Sequence, residues 1–114
     1  MVLRDPNEEA DDILRAHRSR ERQFAFDHAF GAQSTQEDVY RATARGLIEG
    51  VLRGINSTVF AYGPTGAGKT FTMLGSGQEA GIMSLSLGDL YQQIDRTAEE
   101  MRYSVRISYL EVCV

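Results

Sequence analysis

A glycine-rich octapeptide, GPTGAGKT at residues 63–70, has residue types and a spacing that suit the binding of phosphate. It fits the pattern G-x-x-x-x-G-K-S/T at every specified position. Its glycines, at positions 63, 66 and 68, allow the backbone to turn tightly, so that several N–H groups point inward and form a nest for phosphate oxygens. The octapeptide therefore predicts a nucleotide-binding loop.

Two side chains at the end of this loop are suited to contact the bound nucleotide. Lys69 is a cation able to reach the β- and γ-phosphates, and Thr70 offers a hydroxyl to Mg²⁺. A helix that begins near Lys69 would add unpaired N–H groups and the positive end of its dipole. The predicted metal contact is Thr70, and the predicted nucleotide-binding residues are Gly63, Pro64, Thr65, Gly66, Ala67, Gly68, Lys69, Thr70 and Phe71.

The alternative to a binding loop is a chance glycine-rich turn, and the flanking residues disfavour it. Residues 58–62 are apolar enough for a buried strand that leads into the loop. From Lys69 onward the sequence suits a helix, which Gly75 and Gly77 interrupt. Strand, loop and helix are the context that a phosphate-binding loop requires.

Two further helices are predicted beside the loop. Ser34 or Thr35 can cap the first, with Glu37 and Asp38 placed as in a capping box, and Gly54 is a natural end. Its apolar stripe would consist of Val39, Thr43, Leu47, Val51 and Ile55, with Tyr40, Ile48 and Leu52 beside them. The second helix is predicted over residues 83–97, with a face formed by Leu87, Leu90, Tyr91 and Ile94.

The remaining regular segments favour strands. Residues 1–4 suit the end of a strand, and residues 23–26 a short one with its two phenylalanines on one face. Residues 8–22 are ambiguous between a polar helix, a loop and an irregular hairpin. Residues 102–112 alternate as a strand does, which places Tyr103, Ile107 and Tyr109 in the core and gives Glu111 a structural role. This order of elements predicts an α/β fold with a central, mainly parallel sheet flanked by helices.

Composition narrows the class of protein. The chain has 114 residues, a net charge of −4 and ordinary apolar content, which favours one soluble domain. The charge argues against a protein that generally coats nucleic acid or a membrane surface, but leaves room for a local basic patch. A lone Cys113 fits a reducing compartment. No apolar run approaches the roughly 20 residues that span a bilayer, and the N-terminus lacks the apolar part of a signal peptide. The histidines, His17 and His28, are too far apart to suggest a metal site.

A resemblance to a known family rests on the sequence around the loop. The run VFAYGPTGAGKTFTMLG at residues 59–75 strongly resembles the phosphate loop of the kinesin motor domain, including the flanking AYG and TM that generic ATPases lack. Family-like runs continue on both sides, namely FDHAFGAQSTQEDVY at residues 26–40, GIMSLSLGDLYQQI at 81–94 and VRISYLEV at 105–112. The run DDILRAHRSRERQFAFD at residues 11–27 looks like the kinesins that walk to microtubule plus ends and depolymerise them.

This resemblance implies a phosphate-loop NTPase domain with ATP and Mg²⁺ as cofactors and microtubules as the partner. It also implies an enzyme of the cytoplasm and the microtubule cytoskeleton that couples ATP hydrolysis to movement. Two alternatives remain at this point. A small-molecule kinase would use the same loop but also needs lid arginines and a substrate pocket, for which the chain has no convincing candidates, and a non-catalytic truncated product would have no activity of its own.

Several family segments have no counterpart in the chain. They are the first strand with its R-x-R-P run, the switch I run N-x-x-S-S-R-S-H, the switch II run D-L-A-G-S-E and the neck linker. We therefore expect residues 1–114 to be a partial motor domain without catalytic switch residues, which binds nucleotide poorly and hydrolyses it negligibly when alone. The basic run at residues 17–22 is suited to tubulin's acidic surface, although a solvated loop is the more common outcome for such runs.

Overall fold

The computed structural model describes residues 1–4 and 21–112. The chain divides into two units, residues 1–33 and residues 34–114. In the first unit, β1 (Val2–Arg4) pairs antiparallel with β2 (Glu21–Gln23). The prediction of a strand at residues 1–4 is confirmed, whereas the strand predicted over residues 23–26 ends at Gln23. The ambiguous segment, residues 8–22, lies mostly outside the described residues.

The second unit contains four helices among its described residues. They are α1 (Gln36–Thr43), α2 (Arg45–Leu52), α3 (Lys69–Leu74) and α4 (Ile82–Arg96). The predicted cap of the first helix is confirmed, because the Thr35 hydroxyl accepts a hydrogen bond from the Asp38 N–H at 3.1 Å. In return, an Asp38 carboxylate oxygen accepts one from the Thr35 N–H at 2.9 Å. This reciprocal pair satisfies N–H groups that have no partner inside the helix.

The single helix predicted between residues 34 and 54 is wrong, because the chain breaks it at Ala44 into α1 and α2. Near the break, the Thr43 hydroxyl donates a hydrogen bond to the Val39 carbonyl at 2.6 Å. A threonine that bonds back to the preceding turn in this way bends helices. The predicted end is confirmed, since Gly54 follows α2 with a φ of 87°.

The core lies where α1 and α2 pack against α4. Its buried apolar residues include Tyr40, 4% exposed, and Ala44, 1% exposed, together with Ile48 and Ile82. The buried stripe of this segment consists of residues 40, 44 and 48. It lies one position along the chain from the predicted stripe, which began with residues 39, 43 and 47. On α4, three residues of the predicted face (Leu87, Leu90 and Ile94) are half-buried, but Tyr91 is exposed.

Two segments predicted as strands, residues 58–62 and 102–112, contain no strand. Phe60 is 82% exposed and Tyr62 is 96% exposed, and the predicted core residues Ile107 and Tyr109 are also exposed. A parallel strand depends on hydrogen bonds to neighbours on its edges, and no strand beside these segments occurs in the described part of the chain. The only sheet in that part is the antiparallel pair of β1 and β2, so the predicted parallel sheet is not observed there.

A tight turn joins α3 to α4. The N–H of Gly75 donates to the Phe71 carbonyl at 2.8 Å and ends α3, as predicted for this glycine. The turn is closed by a hydrogen bond from the Ser76 N–H to the Glu79 carbonyl at 2.8 Å and by an antiparallel bridge between Gly75 and Ala80. Gly75 has a φ of 85°, and a side chain there would overlap the backbone of Glu79 and Gly81. The two helices are therefore joined by backbone contacts that leave no room for a side chain.

Candidate nucleotide-binding site

The glycine-rich loop has the backbone conformation that its sequence predicts. Gly66 and Gly68 have φ values of 82° and 88°, which other residue types rarely adopt. A hydrogen bond from the Ala67 N–H to the Pro64 carbonyl at 3.2 Å closes a turn over residues 64–67. Gly68 precedes α3, which begins at Lys69 as predicted. The loop therefore leads directly into the N-terminus of α3, where the first N–H groups lack partners within the helix.

Lys69 folds back over the loop that precedes it. Its ammonium group donates hydrogen bonds to the carbonyls of Gly63 and Pro64, each at 2.8 Å. Both acceptors are neutral, and no carboxylate of the described residues forms an ion pair with Lys69. The one lysine of the chain thus brings a positive charge to the mouth of the loop.

The other predicted contacts lie in the first turn of α3. Thr70 is exposed, so that its hydroxyl is accessible, and Phe71 is exposed as well. The described residues contain no group of three or more His, Cys, Asp or Glu side chains that could hold a metal ion. For a metal at this site, the protein ligand remains the one that the sequence predicts, the Thr70 hydroxyl.

A partly buried contact that the sequence analysis missed links α1 to α3. The Gln36 side-chain amide donates a hydrogen bond to the Phe71 carbonyl at 2.6 Å. The two residues are 35 positions apart, so no local pattern indicates the contact. One sequence signal could have drawn attention to Gln36. It is the first residue of a capped helix and belongs to the run that resembles the family's S-T-Q.

A second cluster that the sequence analysis missed joins α1, α2 and α4. The Tyr40 hydroxyl donates to an Asp89 carboxylate oxygen at 2.7 Å, and the Gln93 amide donates to the other oxygen at 3.2 Å. These bonds, led by that of Tyr40, hold the pKa of Asp89 below its usual value, and the Arg45 guanidinium, 4.0 Å away, adds to the effect. Burial raises the pKa of Tyr40, and the bond to Asp89 raises it further. The cluster therefore ties the helices together with a carboxylate that stays ionised.

A groove of about 530 Å³ opens beside this cluster, between the α1–α2 pair and α4. Arginines 41, 45 and 96 line it together with Glu49 and Asp89. No residue of the phosphate-binding loop contributes to its wall. The groove is therefore separate from the predicted nucleotide site.

Comparison with known proteins decides the family. A sequence model of the kinesin motor domain matches residues 3–114. The chain belongs to the kinesin motor domain family. Because the match extends far beyond the glycine-rich loop, it favours a kinesin over a small-molecule kinase that shares only the loop.

Named kinesins resemble this kinesin segment along most of its length. Kinesin-like protein KIF19 of Homo sapiens is 59% identical over 112 residues, which are 98% of this chain and 11% of that protein. Kinesin-like protein KIF18B of Gallus gallus is 50% identical over 96 residues, 84% of this chain and 12% of that protein. Kinesin-like protein KIN-8A of Oryza sativa subsp. japonica is 48% identical over 101 residues, 89% of this chain and 13% of that protein. The chain therefore spans about a tenth of the length of the curated relatives it matches.

The remaining residues of the kinesin segment that the sequence analysis named are not part of the loop sequence. Most of the basic run, including His17, Arg18 and Arg20, is outside the described residues, while Arg22 is an exposed residue of β2. The rings of His28 and Phe30 stack with their centroids 6.3 Å apart, and Glu111 is exposed. Among the described residues, no helix has both the length and the apolar character needed to cross a membrane.

The Tyr40 hydroxyl should stabilise the fold in a pH-dependent way. At pH 7, Tyr40→Phe should lower the free energy of unfolding of a motor domain carrying this segment by about 1 kcal/mol. Because the folded pKa of Asp89 lies below its ordinary value of 3.8, the carboxylate stabilises the fold above that pH, and this contribution is lost as pH falls through the folded pKa. Denaturant unfolding at neutral and acid pH measures the difference.

The matched control is Tyr91→Phe, which removes the same hydroxyl from an exposed position of α4. This variant should unfold like the wild type at every pH. A stability loss in Tyr40→Phe that stayed constant from pH 7 into acid would contradict the assigned bond to the ionised Asp89.

Proposed function

We propose that this chain supplies the ATP-binding part of a microtubule-based motor. The observation that carries the proposal is Lys69 folded over the Gly63 and Pro64 carbonyls at the start of α3, in a chain of the kinesin motor domain family. If a phosphate group were bound at the mouth of this loop, the Lys69 ammonium would exchange those neutral partners for anionic phosphate oxygens. Charge-assisted bonds of this kind are about twice as strong as neutral ones.

Each part of the loop has a role in this proposal. The backbone of residues 63–68 surrounds the phosphates, and the N–H groups of Lys69, Thr70 and Phe71 at the start of α3 add further donors. The Lys69 ammonium contacts the β- and γ-phosphates, and the Thr70 hydroxyl coordinates Mg²⁺ held by the same phosphates. Bound Mg²⁺ would neutralise charge on the phosphates.

The α/β architecture around the loop is also part of the proposal. In the complete motor domain, residues 58–62 and 102–112 would be strands of a central, mainly parallel sheet. The exposed apolar side chains of these segments, among them Phe60, Tyr62 and Tyr109, support this, because such a sheet is covered on both faces. Residues 1–114 would then be one part of the motor domain, and the groups that position water and stabilise the γ-phosphate would come from the switch I and switch II segments. Alone, the 114 residues would hydrolyse ATP negligibly.

The partner of the complete motor would be the microtubule, in the cytoplasm and its cytoskeleton. The motor would couple ATP hydrolysis to movement along microtubules and to their depolymerisation. The second activity is supported by the resemblance of residues 11–27 to depolymerising kinesins. No part of the proposal involves nucleic acid or membrane insertion.

The proposal is tested by assays on a full-length motor that carries this segment. Expected results are Mg²⁺-dependent ATP binding, phosphate release stimulated by microtubules and ATP-dependent gliding of microtubules on a motor-coated surface. The 114-residue chain, assayed in parallel, should release no phosphate above background. Stimulation by a small-molecule phosphate acceptor, in place of microtubules, would support the kinase alternative and overturn the proposal.

A further inference from the structure

Gln36 is the one buried polar side chain among the described residues. It is the first residue of α1 and is 8% exposed. A buried amide of this kind needs a partner, because burial without a hydrogen bond costs free energy. Its donor meets the Phe71 carbonyl at 2.6 Å, which is the short end of the range for an N–H···O bond.

The acceptor of this bond lies next to the proposed phosphate contacts. Phe71 follows Lys69 and Thr70 directly in the first turn of α3. Its carbonyl also accepts the Gly75 N–H at 2.8 Å, so that one oxygen receives the bond that ends α3 and the bond from α1. The orientation of this carbonyl is therefore fixed from two sides.

The helix that bears these contacts is too short to hold its own orientation. α3 has six residues, and isolated helices shorter than about 12 residues are marginal in water. Its direction must come from the surrounding structure, namely its packing on α4, the turn at Gly75 and the bond from Gln36. Besides the bonds from the Lys69 ammonium to the loop, the described residues give the first turn a side-chain hydrogen bond from another helix, that of Gln36.

We propose that Gln36 is a positioning residue that sets the strength of Mg²⁺-nucleotide binding by holding the first turn of α3. The inference rests on the proposed function, because Lys69 and Thr70 must be phosphate and Mg²⁺ contacts for it to matter. With the bond in place, the Lys69 and Thr70 backbone stays in the orientation that the loop and helix define. Without it, α3 rotates more freely, and the geometry required by octahedral Mg²⁺ coordination is the first to suffer.

Two substitutions separate the bond from the volume of the side chain. Gln36→Met keeps the length of the chain and removes the donor, so that the Phe71 carbonyl retains its bond from Gly75. Gln36→Glu keeps the shape but places a carboxylate, which cannot donate when ionised, against the carbonyl oxygen. Because two oxygens then face each other in a partly buried place, the glutamate should have the larger effect.

The experiment measures the Kd of ATP over a range of Mg²⁺ concentrations, for each variant of a full-length motor carrying the segment. Gln36→Met should weaken Mg²⁺-ATP binding about fivefold, the equivalent of one typical hydrogen bond, and Gln36→Glu more. The Mg²⁺ concentration that gives half of the maximal affinity should rise, whereas ATP binding without Mg²⁺ should change less. The matched controls are Gln92→Met and Gln92→Glu on the exposed part of α4, which should bind like the wild type.

A purely structural role has a different outcome. Thermal melting and titration of active sites give the folded fraction, and affinities are compared for each folded molecule. An unchanged Mg²⁺-ATP Kd in Gln36→Met, with only a lower melting temperature, would overturn the inference. If Gln36→Met does not fold, Gln36→Asn serves instead, since it keeps the amide but falls one methylene short; wild-type Mg²⁺ dependence in that variant would also overturn it.

The inference and the proposed function fail in distinguishable ways. If the wild-type motor binds ATP and Lys69→Ala does not, the nucleotide site stands whatever Gln36 does. If the wild-type motor itself shows no Mg²⁺-dependent ATP binding, the proposed function is wrong, and the role of Gln36 falls with it.

Discussion

Lys69→Ala should abolish specific ATP binding in a motor that carries this segment. The substitution removes the Lys69 ammonium, which lies over the loop and contacts the Gly63 and Pro64 carbonyls. Loss of a charge-assisted contact to two phosphates should weaken ATP binding by roughly a hundredfold or more, about 3 kcal/mol. Equilibrium binding of a fluorescent ATP analogue and microtubule gliding measure the effect. Thr70→Ala should also weaken binding, but through Mg²⁺.

The matched control is Arg53→Ala, which removes one positive charge from an exposed position at the end of α2, outside the loop. This variant should bind ATP with nearly wild-type affinity, because an exposed charge is screened by salt within about 8 Å. Gliding by the Lys69→Ala motor at a wild-type rate would contradict the assigned site. An equal loss of ATP affinity in both variants would indicate a general effect of net charge and would contradict the assigned role of Lys69.

Gly75→Ala should destabilise the motor domain strongly. Gly75 has a φ of 85°, and the added methyl group would overlap the Glu79 carbonyl and the backbone before α4. Positive φ alone costs about 1–2 kcal/mol for a residue with a side chain, and relief of the overlap requires the turn to open. The free energy of unfolding should therefore fall by about 2 kcal/mol or more. Denaturant or thermal unfolding of the full motor measures this.

Gly88→Ala provides the contrast within the same helix pair. Gly88 lies in α4, where an added methyl group has open space and the backbone is helical. Here alanine should raise the stability by roughly 0.5–1 kcal/mol, because it restricts the unfolded chain. A Gly75→Ala variant as stable as Gly88→Ala would mean that the turn is not closed as described.

Local signals in the sequence predicted the local features of the fold correctly. The Thr35 cap, the start of α3 at Lys69 and the stop at Gly75 each depend on a few neighbouring residues. The buried stripe through Tyr40 depends on what α4 presents to α1 and α2. Two adjacent stripes of helical positions in this part of the chain carry apolar residues. Packing against α4 decides which of the two stripes is buried. The strands predicted at residues 58–62 and 102–112 are not observed, because neither the apolar character of the first segment nor the alternation of the second indicates whether a neighbouring strand is present.

The same division holds for the candidate site. The conformation of the loop followed from the spacing of its glycines and Lys69, since the pattern places every group within eight consecutive residues. The contacts of Gln36 and Tyr40 span 35 and 49 positions, and such pairs are created by the packing of helices. A single sequence contains no direct record of them.

The turn between α3 and α4 also determines where the chain tolerates inserted residues. Its stem is fixed by the Ser76 and Glu79 hydrogen bonds and by the bridge between Gly75 and Ala80. Its tip at Gly77 is exposed and has open space around it. A reporter peptide inserted after Gly77 would extend the tip into solvent while the stem kept both helices in register. This position is therefore a natural attachment point for a fluorescent label that reports on the orientation of α3.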